Sequence, residues 1–403
     1  MNRFFSFVLL ISFPFALFTQ ETAQWRGKNR DGKYQENGLL KSWPENGPTM
    51  LWHFDELGDG HASVAVTSEI IYTTGALDDK GYVFAFSHEG NLIWKSEIGK
   101  AWMESWNGVR TTPLVIGEKL YIMSAYGKLV CMNSKSGEII WTVDLFKEYN
   151  GRNIRWGVTE NLLVDGDTLF VITGGVQYNV IALDRNTGNL IWVCAGNGEK
   201  SAYNSPALIE HNNRKLVVTM TENSVLCIDA SNGKLLWRHE HTNEWSVHPN
   251  TPLYHNGFIY YVSGYGSGGG LLKLSDDGNS VSKVWTNRSL DNQMGGVIYL
   301  DGRLYGAGHK SRKLICLDFE TGEELFFTKT IQRGNTIYAD GLLYCYDERG
   351  NVGLVKPEEN SFNVISEFKV PYGANQHWAH LVIHNKRLYV RHGTSLMVYD
   401  ITE

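Results

Sequence analysis

The sequence predicts an all-β fold, an eight-bladed β-propeller of four-stranded antiparallel blades, and three observations carry that prediction. The first is a recurring unit, cleanest at Val225 to Trp237 (VLCIDASNGKLLW), with related copies ending at Trp141, Trp192 and Phe326. An apolar run ends at an acid or amide, a small polar turn carries a glycine, and a second apolar run reaches an aromatic four residues later, which is the signature of a β-hairpin. The second is the period. Aromatics at Trp52, Trp94, Trp141, Trp192, Trp237, Trp285, Phe326 and Phe368 stand about 41 to 51 residues apart, the length that one four-stranded blade needs. The third is composition: 42 glycines, nine prolines and 12% aromatics suit many short strands and tight turns, and no long stretch has the 3.6-residue period of a helix.

Taken in order, Met1 to about Gln20 reads as a secretory signal, with Arg3 ahead of an apolar run from Phe4 to Phe18. The expected division is a signal peptide over 1–23, an N-terminal extension over 24–48 and one propeller over 49–403. A secreted or periplasmic location follows, with an uncleaved anchor left open. The first cysteine is Cys131, so no lipid anchor is expected.

Thr49 to Phe54 is a strand with a repeat tryptophan, Trp52, but no inner strands before it. The first full unit runs from His61 to Ile98, and later units follow the same plan. Their first and second strands are joined by Asp165-Gly166-Asp167, Asn256-Gly257, Asp301-Gly302 and Asp340-Gly341, residues that accept the positive φ of hairpin turns. The last unit, His377 to Ile401, has only three strands. The orphan strand at Trp52 is the missing fourth, so the N-terminus is expected to complete the C-terminal blade and remove two exposed sheet edges.

The five cysteines lack the pattern of a disulfide framework. Cys131, Cys227 and Cys316 hold the repeat position that Ala182 holds elsewhere, which makes them small core residues. A net charge of -6 with both signs scattered gives no nucleic-acid footprint, and a monomer is expected.

A turn ending in Asp-x-x-Thr-Gly or a near variant, with tryptophan four residues after the glycine, resembles the pyrroloquinoline quinone (PQQ) repeat. That family includes quinoprotein alcohol dehydrogenases and the BamB-type outer-membrane assembly lipoprotein, and the resemblance implies eight blades over residues 49–403. Trp25-Arg26-Gly27, Arg30-Asp31-Gly32, Trp43-Pro44, Ser263-Gly264-Tyr265-Gly266 and the run Asn335 to Gly341 are similar to a secreted branch whose biochemical role is undefined. The dehydrogenases stack their quinone between a tryptophan and a disulfide of adjacent cysteines, and hold calcium with carboxylate and amide oxygens. No two cysteines here are adjacent, so no cofactor is expected, with PQQ and calcium kept for an alternative reading as a dehydrogenase of an alcohol, sugar or polyol.

In such blades the outer-to-inner connections share one face, around the channel where propellers bind ligands. These connections are rich in aromatic, arginine and amide side chains, whereas the opposite turns are small and polar. The candidate ligand-binding residues are Trp106, Arg110, Arg155, Trp156, Glu160, Tyr203, Asn204, Trp245, His248, Asn250, Tyr265, Asn292, Arg333, Asn335, His377 and Trp378. Rings offer stacking surface and amides orient polar groups, which suits an extracytoplasmic carbohydrate, peptide or protein partner. The same residues also suit bracing of the channel, and both readings stay open. No catalytic residue stands out. His239-x-His241 and His377-x-x-His380 lack a third metal ligand, and Gly264 to Gly270 lacks the Lys-Ser/Thr of a phosphate loop. The expected role is a binding or scaffold module, with a quinoprotein dehydrogenase and a BamB-like assembly factor as alternatives.

Overall fold

The computed structural model describes residues 21–403, so the expected signal segment, up to about Gln20, lies outside the described residues. Eight antiparallel sheets of four strands follow one another as blades. Blade 1, for example, runs Ala65–Val66, Ile71–Leu77, Lys80–Phe86 and Leu92–Lys100, from the inner strand to the outer. The one helix among the described residues is the single turn Leu145–Glu148. The turns behave as expected: Asn256 and Gly257, Asp301 and Gly302, and Asp340 and Gly341 all have positive φ.

Ring closure is as the sequence predicts. Thr49–Phe54 pairs antiparallel with Ser395–Asp400 and becomes the outer strand of blade 8.

The repeat unit now has a mechanical meaning. In five outer strands the aromatic sits beside a bulge, opposite a small residue, Ala85, Cys131, Ala182, Cys227 or Cys316, and Trp285 and Trp52 take the same place opposite Leu271 and Val398. Five of the indoles donate N–H to a carbonyl of the following blade, Trp52 to His88 at 3.0 Å, Trp94 to Ser134 at 3.2 Å, Trp141 to Arg185 at 3.2 Å, Trp192 to Ala230 at 3.1 Å and Trp285 to Phe319 at 3.0 Å, whereas the Trp237 N–H makes no such bond. The turn glycine of that following blade lies flat on the indole. A Cβ on Gly322, whose φ is +73°, would come within 2.4 Å of the Trp285 ring. The repeat spacing is therefore that of a hook and its eye, each hook adding about 1 kcal/mol to the buried ring.

Blade 7 departs from this pattern, and one expected residue is corrected. Ser366, not Phe368, occupies the register position of the repeat aromatic, opposite Leu354 at the bulge. Trp43 from the N-terminal segment takes over. Its backbone N–H donates to Ser366 Oγ at 2.8 Å, its indole N–H donates to Val352 O at 2.9 Å, and its ring meets Phe368 and Tyr344 edge-on.

Residues 21–48 are tied to the blades at several points. Glu21 accepts from Ser68 N and Oγ at 2.7 and 2.8 Å, and Thr22–Ala23 adds a fifth strand to the inner edge of blade 2. A leader ending at Ala23 would remove that strand. Lys33–Tyr34 pairs parallel with the inner strand of blade 7. Between these anchors the chain crosses the channel, and two buried arginines tie it to the walls. Arg26 donates to Val297 O at 2.8 Å, Thr336 O at 3.3 Å and His380 Nδ1 at 3.3 Å. Arg30 donates to Leu162 O at 2.6 Å and Asn161 O at 2.9 Å.

Candidate functional site

The crossing segment divides the channel. Above it, on the face of the outer-to-inner connections, opens a cup of about 760 Å³ with Trp25 and His380 among its lining residues. Below it lies a second cavity of about 930 Å³, lined by Gln24, Lys28 and Arg30 of the same segment and by first-to-second strand turns such as Asp165 to Asp167.

Five tryptophans line the upper cup: Trp25, Trp106, Trp156, Trp245 and Trp378. Trp106 and Trp378 lie nearly parallel, with centroids 6.3 Å apart. Across the cup Trp156 meets Tyr203 at 6.1 Å and Trp245 at 5.9 Å, and the Arg155 guanidinium lies over both indoles, 5.1 and 4.8 Å from their centroids. Arg110 ties two wall loops together by donating to Trp156 O at 2.5 Å and Trp106 O at 2.6 Å, and burial pulls its pKa down to about 10. Arg333 is ion-paired with Glu348, which also accepts from the Trp378 indole at 3.2 Å. Gln293 donates to the Tyr265 hydroxyl at 2.6 Å, leaving its Oε1 buried without a donor.

The wall is held in costly backbone conformations. Trp106, Tyr203 and Tyr265 have φ of 48°, 64° and 62°, a region that costs a side-chain-bearing residue on the order of 1 kcal/mol or more. These aromatics are fixed in place by the surrounding loops.

Ten of the expected residues line the cup: Trp106, Arg110, Arg155, Trp156, Tyr203, Trp245, Tyr265, Arg333, His377 and Trp378. The other six are buried, and four asparagines among them spend their amides on backbone carbonyls, three of these on the connection into the next blade. Asn204 donates to His248 O and Asn250 O, Asn250 to Asn292 O, Asn292 to Ala307 O, and Asn335 to Ala379 O, all at 2.6 to 2.9 Å. His248 is fully buried, its Nε2 facing Glu222 O at 3.3 Å, and desolvation lowers its pKa to about 4. Glu160 is buried too, with neither carboxylate oxygen in a well-formed hydrogen bond. Desolvation pushes its pKa up to about 7, with the Ser201 hydroxyl opposing the rise. Inter-blade amides and wall amides look alike in sequence, because both precede an inner strand. Sequence reading missed Trp25, His61, Glu348 and Met294 as lining residues. Trp25 carried a signal, the Trp-Arg-Gly motif, but nothing in it told that the chain turns into the channel.

The quinone clamp does not fit these walls. The five cysteines are all buried and free, each in a different blade. Glu348, the one carboxylate among the residues lining the cup, is committed to Arg333 and Trp378. The Asn204 side-chain oxygen already accepts from Thr219 and Met220, and among the described residues no group of three His, Cys, Asp or Glu side chains is arranged to hold a metal.

The sequence profile of the family described as outer membrane protein assembly factor BamB matches residues 79–328, more than half of the chain. The chain belongs to this PQQ-like propeller family. Within the family it is 25% identical over 320 residues to an uncharacterized protein of Rickettsia prowazekii, covering 76% of this chain and 70% of that one. It is also 25% identical to the outer membrane protein assembly factor BamB of Kangiella koreensis, over 51% of this chain and 48% of the relative. Among solved structures, BamB from Moraxella catarrhalis superposes with a TM-score of 0.60 at 16% identity, covering 87% of this PQQ-like propeller and 97% of that chain. A quinohemoprotein alcohol dehydrogenase from Comamonas testosteroni gives 0.65 at 12% identity, covering 93% and 79%. At these identities the two structures speak to the fold alone.

Proposed function

We propose that this PQQ-like propeller is an extracytoplasmic binding module that holds a ligand or partner segment in its upper cup. The observation that carries the reading is a single one: five tryptophans and two tyrosines converge on a cup with a floor, and three of those aromatics are held at positive φ. A cavity of about 760 Å³ falls in the range of small-molecule sites, and convergent aromatics with a few polar groups are the usual anatomy of such sites. The names of the BamB relatives place those proteins at the outer membrane, which favours an extracytoplasmic setting for this chain as well.

A second reading, participation in outer-membrane protein assembly, is favoured by the family match and by the exposed Leu92, Ile93, Ile139, Ile140, Leu190 and Ile191 on neighbouring outer strands, since apolar edge strands invite pairing with another chain. The dehydrogenase reading draws no support from the cup's donor set. A panel of oligosaccharides and peptides titrated against intrinsic tryptophan fluorescence tests the first reading. Binding that weakens at least ~10-fold in Trp156→Ala or Trp245→Ala supports it, because buried aromatics carry a large share of such affinity. Binding indifferent to both substitutions, or turnover with added PQQ and calcium, would overturn it.

A further inference from the structure

The three arginines of the cup are not equivalent. Arg110 spends its donors on the carbonyls of Trp156, Trp106 and Ser105, and Arg333 is neutralised by Glu348. Arg155 is exposed. Its guanidinium lies against the Trp156 and Trp245 rings and makes no hydrogen bond or ion pair among the described residues. Its N–H groups are therefore not spent on the protein and are left to a ligand, and arginine takes a carboxylate with two parallel hydrogen bonds. The cup therefore presents one cation, Arg155, whose donors are not spent on the protein, held beside two indoles.

What surrounds this cation points to a sugar. The remaining wall is aromatic, with neutral polar groups at Gln293, Asn375, Gln376 and Thr159. Indole faces stack on the C–H face of a pyranose, while its hydroxyls need neutral donors and acceptors. Gln293 Oε1 is a buried acceptor with no donor, and a hydroxyl supplies one where a bare inorganic anion does not. A peptide held by strand addition needs an open sheet edge. The tryptophans and Arg155 of this wall all stand in loops, outside the strands.

We infer that the cup recognises a carboxylate-bearing pyranose, the uronate unit of an acidic oligosaccharide, with its carboxylate on the in-plane edge of Arg155 and its ring against the indoles. This rests on the upper cup being the binding site. Isothermal titration of the full chain with short oligogalacturonates, and with their carboxyl-reduced uncharged counterparts, tests it. The acid form binds at least ~10-fold tighter than the reduced form, as expected for a charge-assisted bidentate contact. Its affinity falls as salt rises, because the guanidinium is solvent-accessible. Arg155→Gln abolishes the preference with an unchanged thermal midpoint, and Arg155→Lys, which keeps the charge but not the fork, retains part of it. Equal affinity for the two forms, or a preference that survives Arg155→Gln, overturns the inference. A glutamate-rich peptide that binds more tightly than the uronate overturns the sugar assignment. Neutral oligosaccharides that bind without charge preference, yet are lost in Trp245→Ala, overturn the uronate while leaving the cup as the site. If neither acidic nor neutral ligands bind and Trp245→Ala changes nothing, both fall together.

Discussion

Glu160 offers the sharpest test of how deeply the residues behind the cup are buried. Replacing it with glutamine removes an ionisable group but keeps its shape, so the variant resembles the wild type with a permanently protonated side chain. Its pKa rises from 4.5 in the unfolded chain to about 7 in the folded one, chiefly because burial disfavours the charged form. At about 1.4 kcal/mol per pH unit, that rise means that ionised Glu160 destabilises the folded state by about 3 kcal/mol at pH 8 and not at all below pH 4.5. The sign follows from proton uptake. Between pH 4.5 and 7 the folded state holds the proton and the unfolded state does not, so wild-type stability falls as pH rises through that window. Glu160→Gln does not titrate there. Urea unfolding at pH 4.5, 6 and 8 should show the variant near wild type at the lowest pH and up to about 3 kcal/mol more stable at the highest. A gap that does not change with pH would refute the reasoning, and a variant less stable at pH 8 would show that the carboxylate has a compensating partner.

The hooks predict a contrast between two similar substitutions. Trp192→Phe loses the bond to Ala230 O and should cost about 1 kcal/mol more than Trp237→Phe, whose indole N–H has no partner; equal losses in denaturant midpoints would count against the hooks. Gly322→Ala should destabilise by more than about 2 kcal/mol, since it combines positive φ with a Cβ driven into Trp285. Gly302→Ala, at φ +77° with nothing within 4 Å, should cost only about 1 kcal/mol. A chain beginning at Thr49 keeps the closing strand but loses the crossing segment and Trp43. It should melt well below a chain beginning at Glu21 and should bind the fluorescent dye ANS, and matching melting curves would refute a structural role for residues 21–48. Acid should weaken the ring, because desolvation holds His61, His241 and His380 at about 3 and His248 and His377 at about 4. These groups stay neutral in the folded chain and take protons when it unfolds, so their contribution is complete above about pH 6.5 and is lost progressively as pH falls toward 3. A thermal midpoint that is flat over that range would contradict this.

The ring was legible in the sequence. Period, turn chemistry and the lone strand at Trp52 are local facts, and a strand's faces and a hairpin's glycine are set within a few residues, so the eight blades, the closure and the buried free cysteines could all be read before any coordinates. The richness of the upper connections in tryptophan and arginine was equally legible, and ten of the sixteen residues chosen from it do line the cup. Other features depended on what lies opposite in space. Asn204, Asn250, Asn292 and Asn335 stand at or just before inner strands as the wall residues do, and only the backbone carbonyls they reach, in the next blade's connection for all but Asn292, set them apart. Ser366 breaks the repeat, and its replacement, Trp43, comes from more than three hundred residues away. The crossing segment is the largest such case. Trp25, Arg26 and Arg30 have no apolar periodicity to announce burial, because what buries them is a channel wall offering the carbonyls of Asn161, Leu162, Val297 and Thr336, and that wall exists only once the blades have closed around it.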